Sequence, residues 1–204
     1  DRLSELSPEN SPTGVDLALS QLAKAGSVKP RKLIRDIVNQ GPEAEQKVIS
    51  FVEAHENSLA SLYGIEILGY WKSKSALPLL SRLIQVDNPL AGSYISEALG
   101  RIGEASVEPL ANFIKSHGGG LWSRIYAGRA LSLIRAEGVV DVLVWQLDHA
   151  STLTEQMFTI AHLKELGDPE AIAPLEKFTT QAEDRLARMA SSAVASLRQG
   201  NGLD

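Results

Sequence analysis

Apolar residues recur every three or four positions along almost the whole chain between residues 14 and 199. That spacing collects them on one face of an α-helix. The pattern predicts helices over 14–25, 29–40, 43–55, 58–71, 75–86, 91–102, 106–117, 121–136, 139–149, 153–166, 170–181 and 183–199. No stretch shows the two-residue alternation of a half-buried strand, so the expected fold class is all-α. Residues 1–13 (DRLSELSPENSPT) are rich in Ser, Pro and Glu and read as an irregular lead-in. Residues 14–199 read as a single domain, and 200–204 as a tail begun by Gly200-Asn201-Gly202.

Laid on itself at a step of about 31 residues, the chain brings its aromatic residues into columns. Phe51, Arg82, Phe113, Trp145 and Phe178 form one, and Tyr63, Tyr94, Tyr126 and Phe158 another. A fixed period of this length signals a repeat architecture. The helices pair, and the second of each pair begins near Lys47, Pro78, Pro109, Asp141 or Pro174. Proline suits the first turn of a helix, where its missing N–H costs nothing. Two apolar columns flank this marker: Ile37, Leu68, Leu99, Leu131 and Leu163 before it, and Val48, Leu79, Leu110, Val142 and Leu175 after it. They are expected to form a continuous core between the first and second helices. Residues 14–25 then read as a lone second helix and 183–199 as a lone first helix, the atypical ends that a repeat array needs.

The turns carry a family likeness. Ala98-Leu99-Gly100-Arg101-Ile102-Gly103 and Leu166-Gly167-Asp168-Pro169-Glu170-Ala171-Ile172-Ala173-Pro174-Leu175 resemble the short bacterial HEAT-like repeat, the type first associated with phycobilisome lyases. Gly41-Pro42-Glu43-Ala44 is a weaker echo. The resemblance spans about residues 30–181. It implies a right-handed α-α superhelix, a HEAT-like or armadillo-type solenoid of about five helix pairs with half-repeats at both ends, its second helices lining a concave side.

Composition narrows the chemistry. The net charge is −5 and the pI about 5.4, unlike the basic footprint of a nucleic-acid binder. The absence of cysteine excludes disulfides, thiol catalysis and thiolate metal sites. No apolar run is long enough for a membrane span. The first residue is Asp1, which leaves open a processed product, an exported protein or a fragment of a longer one beside a cytoplasmic location.

No nucleophile motif such as Gly-x-Ser-x-Gly appears, nor His-Glu-x-x-His. His55, His117 and His149 lie eight residues after the marker, at helix C-termini, where an imidazole meets free carbonyls and a favourable dipole. Neighbouring helices stand about 8–10 Å apart, too far for equivalent rings to share one ion. His162 reads as a polar contact between helices. The one His-Glu pair, His55-Glu56, falls short of the several found in the HEAT-like iron enzyme deoxyhypusine hydroxylase. Gly118-Gly119-Gly120 lacks the Lys-Ser or Lys-Thr of a phosphate loop and reads as a flexible joint. Lys29, Arg31, Lys32 and Arg35 form the one dense basic cluster, placed at the start of a helix against its dipole.

Binding residues are sought on the second helices. Arg82 breaks a column of rings and must reach solvent or a carboxylate, because an unpaired buried charge is costly. Trp145 is of the type enriched at interface hot spots. With Gln85, Asn112, Lys115 and Asp148 these are the candidate binding residues, on a surface of mixed sign that suits a protein or peptide. The expected function is a non-enzymatic scaffold or adaptor without cofactor, metal or nucleic-acid partner, its oligomeric state open. The resemblance also implies two alternatives, a bilin lyase or chromophore-handling protein and, remotely, a DNA glycosylase using Trp145 and Asp148.

Overall fold

The computed structural model describes residues 14–181 and 184–202. The predicted lead-in at 1–13 lies outside them, as do residues 182–183 and the end of the tail. Over the described residues the chain is all-helical: α1 (Gly14–Ala23), α2 (Arg31–Val38), α3 (Glu45–Ala54), α4 (Leu59–Tyr70), α5 (Leu77–Leu83), α6 (Pro89–Ile102), α7 (Val107–Lys115), α8 (Leu121–Ser132), α9 (Val139–His149), α10 (Leu153–Leu166), α11 (Ile172–Gln181) and α12 (Asp184–Gly200).

Capping chemistry sets the boundaries. The side chains of Ser58, Asn88 and Thr152 accept hydrogen bonds from first-turn amides of α4, α6 and α10, which helix geometry leaves without backbone partners. Asn88 with Pro89 starts α6 two residues before the position that periodicity alone predicts. Four of the second helices start later than predicted, because a turn of 3-10 helix precedes each, at Pro42–Ala44, Lys74–Ala76, Glu104–Ser106 and Pro169–Ala171, while α9 begins at Val139 as predicted. The marker prolines Pro78, Pro109 and Pro174 all fall in the first turn of α5, α7 and α11.

The even-numbered helices form a row in which α4 packs on α6, α6 on α8, α8 on α10 and α10 on α12. The odd-numbered helices lie against that row, α3 on α4, α7 on α8, α9 on α10 and α11 on α12, with less contact among themselves. Between the rows run the two predicted apolar columns. Every member of both is buried, from Ile37, Leu68, Leu99, Leu131 and Leu163 at 0% exposure to Leu79 and Val142 at 5%.

The even row is tight because small residues face it. A Cβ on Gly69 of α4 would stand 2.8 Å from Ala98 Cα of α6, so only glycine lets these backbones approach so closely. The run Gly118-Gly119-Gly120 also has a packing reason, which its reading as a loose joint lacked. A Cβ on Gly120 would collide with the Asp87 carboxylate, and Asp87 Oδ1 accepts the Ser123 amide at 3.0 Å in the first turn of α8.

Candidate functional site

The six residues predicted for binding sit on three successive odd elements: Arg82 on α5 with Gln85 just beyond, Asn112 and Lys115 on α7, Trp145 and Asp148 on α9. Five are exposed and Trp145 is half-buried against the core. Their recorded partners lie outside the set. Arg82 is exposed and donates through both terminal nitrogens to Glu56, Nη1 to Oε2 at 3.2 Å and Nη2 to Oε1. That guanidinium holds the Glu56 carboxyl below its ordinary range and is itself held more basic. Gln85 donates back to the Ser81 carbonyl at 2.9 Å.

Trp145 has two imidazole neighbours. His149 stacks on it at 4.2 Å between ring centroids, and the His117 ring stands 5.0 Å away. His149 Nδ1 lies 2.9 Å from the Trp145 carbonyl, and His55 Nδ1 lies 2.8 Å from that of Phe51. His149 and His55 therefore close the last turns of α9 and α3, the structural role expected for this column, whereas His117 lies beyond the end of α7 at φ 53° and meets the Trp145 ring instead. Among the described residues no three His, Cys, Asp or Glu side chains converge as metal ligands.

His162 is buried on α10, and loss of solvation, aided by the positive Arg129, lowers its pKa to about 4. Among the described residues its Nδ1 and the buried Gln146 Oε1 both lack hydrogen-bond partners. Both occupy the space beside Gly128, where a Cβ would stand 3.0 Å from the first and 2.6 Å from the second.

A second surface lies on the even row. Glu97 of α6 receives Arg129 of α8 at 3.2 Å and Arg101 of its own helix at 3.4 Å. Arg129 reaches on to Glu165 of α10 at 3.8 Å. The Arg101 guanidinium also lies over the Tyr70 ring, 4.4 Å from its centroid, a favourable meeting of cation and π-face. The tyrosine column runs alongside, in graded exposure. Tyr63 is buried, with its hydroxyl donating to the Gly26 carbonyl at 3.3 Å and its pKa raised mainly by burial. Tyr94 and Tyr126 are half-buried, and Phe158 is 39% exposed. Trp122 contacts Phe158 edge-on at 6.0 Å, extending the ring cluster.

Cavities concentrate on this row. One of about 390 Å³ lies between α4 and α6, against Lys29, Glu66, Tyr70, Tyr94, Glu97 and Arg101. Another of about 440 Å³ lies between α2 and α4 and shares Lys29, Glu66 and Tyr70 with it, adding Arg31 and Arg35. A third, of about 260 Å³, opens where α4 and α6 begin, with Ser58, Ser61 and Asn88 beside Leu62, Ile65 and the exposed Leu59, Val86 and Leu90. The basic cluster singled out in the sequence thus edges a groove. The eight-residue α2 puts Arg35 in its last turn, where the dipole favours it.

The rows differ in charge. The even helices carry ten Lys or Arg against six Asp or Glu, the odd helices four against seven. Sequence reasoning missed Glu66, Glu97 and Arg129, although they stand in repeat register, three residues after Tyr63, Tyr94 and Tyr126. That offset is one helical turn, enough to place them on the same face as the rings.

The chain matches no protein-family model and no curated protein sequence. No helix among the described residues is long and apolar enough to cross a membrane.

Proposed function

We propose that this chain is a HEAT-like α-solenoid that serves as a non-enzymatic adaptor, holding a protein or peptide partner on its concave face. The observation that carries the reading is the even row itself, where rings, charges and cavities recur in repeat register on adjoining helices. Successive equivalent helices offer an extended partner successive equivalent contacts, the way stacked repeats build a binding surface.

The close approach of α4 and α6 at Gly69 and Ala98, against the sparser contact among odd helices, favours the even row as the inside of the curve. Elements on the inside of a bend are the more closely spaced. On this reading the partner meets Tyr94, Arg101, Arg129 and Phe158, in place of the odd-helix residues expected from the resemblance. Arg82, Gln85, Asn112, Lys115, Trp145 and Asp148 then belong to the outer layer.

Photo-crosslinking during affinity capture from native lysate tests this. Crosslinkers at Tyr94 and Phe158 are expected to label a partner that one at Trp145 leaves unlabelled. Labelling from Trp145 alone would reverse the assignment of faces. Capture that returned no protein from any position would remove the adaptor reading.

A further inference from the structure

We propose that the two adjoining cavities across α2, α4 and α6 form one groove for an acidic peptide segment, a partner class that rests on the adaptor reading above. The groove is edged by Lys29, Arg31, Arg35 and Arg101 against two carboxylates, Glu66 and Glu97, on a chain whose net charge is −5. It is a local reversal of the protein's overall sign. Arg31 and Arg35 are exposed and have no ion-pair partner among the described residues. They stand one helical turn apart on α2, so both guanidinium groups can meet carboxylates of one extended segment. Charge-assisted bonds of that kind are the stronger ones, and guanidinium geometry favours two-point contact.

Glu66 decides between a peptide and a polyanion. Its side chain is 10% exposed and lines both cavities. Lys29 Nζ lies 2.8 Å from each of its oxygens, and among the described residues Oε2 has no other donor. A carboxylate oxygen has more than one lone pair, so Oε2 keeps room to accept an incoming N–H beside the lysine. A peptide backbone brings N–H donors alongside its acidic side chains, whereas the phosphates of a nucleic acid bring only acceptors and would meet Glu66 and Glu97 as like charges. The half-buried Tyr94, with Lys29 5.7 Å from its ring centroid, supplies an apolar wall for the stem of a Glu side chain.

A phage-displayed library of random twelve-residue peptides, selected on the full chain at about 150 mM salt, tests the proposal. Enrichment of Asp and Glu is expected. Fluorescence anisotropy with the best selected peptide should show about tenfold or more weakening in R31E/R35E, from the loss of two charge-assisted contacts. The control K164E/K177E makes the same change in net charge at exposed positions on α10 and α11 and should leave the affinity unchanged. Circular dichroism checks that both variants keep their helices. Equal weakening in both would reduce the effect to net charge and overturn the groove. Neutral or basic selected peptides would overturn it too, as would binding insensitive to R31E/R35E, while leaving the adaptor reading in place. A labelled single-stranded DNA 20-mer that bound more tightly than the peptide would assign the surface to nucleic acid instead. Failure to select any peptide, together with an empty capture, removes the adaptor reading itself.

Discussion

Arg124 of α8 holds both carboxylate oxygens of Glu155 on α10, Nε to Oε1 at 2.9 Å and Nη2 to Oε2 at 3.1 Å, with the carboxylate 2% exposed. A third donor, the Ser151 amide, reaches Oε2 at 3.3 Å. The pair therefore ties two even helices through a buried, multiply bonded carboxylate. Arg124→Ala would leave that charge buried without its partner. A loss of about 3–5 kcal/mol is expected, read from urea unfolding. Replacing both partners together, as R124M/E155L, should cost less than the single change, because no orphaned charge remains. A double variant worse than R124A would show that the pair is a net stabiliser in its own right.

His162 makes stability depend on pH. Its folded pKa is about 4 against an ordinary 6.5, so below pH 6.5 the unfolded chain takes up the proton first. Stability is expected to be full above that value and to fall as pH drops from 6.5 toward 4, by about 2 kcal/mol between pH 7 and pH 5. Urea unfolding of wild type and His162→Gln at both values isolates the contribution. An equal loss in the variant would assign the pH dependence to other groups.

Gly69→Ala drives a methyl group to 3.0 Å from the Ala98 Cβ and 2.8 Å from its Cα. Alanine gains up to about 1 kcal/mol of helix propensity over glycine, but forced separation of α4 from α6 should outweigh that. A net loss of about 1–3 kcal/mol is expected. Thermal unfolding gives the sign, and an increase in midpoint would mean that the two helices can part without penalty.

Arg82→Ala removes the contact with Glu56 at an exposed position. Exposed ion pairs contribute little, because solvent screens them and ordering two long side chains offsets the gain. The urea midpoint is expected to stay within experimental scatter of wild type. A clear drop would mean that the pair holds the α3–α4 connection in place.

The all-helical class and the core positions were legible in the sequence. Leu68, Leu99 and Leu131 could be assigned to the core from their common register, and each is 0% exposed. A repeating sequence shows the same burial demand several times over, so chance periodicity averages out. The departures came from local chemistry that hydrophobic spacing does not report. Asn88 captures two amides and lengthens α6 at its start, and 3-10 turns delay the start of four second helices. The basic cluster at 29–35 was visible, but the groove beside it was not. Arg82 was expected to meet solvent or a carboxylate and does both, yet its partner Glu56 could not be named in advance, since 26 residues of chain separate them.

The sequence by itself determined the helices, their pairing and the residues buried between the rows. These follow from turn chemistry and from the three-to-four-residue spacing of apolar side chains, both local properties. Tertiary structure decided where the surface features meet. Lys29 reaches Glu66 across 37 residues, and Arg129 reaches Glu97 across 32. Those distances close only because small residues such as Gly69 let successive helices approach, bringing side chains one repeat apart into contact. The segregation of charge between the two rows arises in the same way, since a row exists only once the helices have packed.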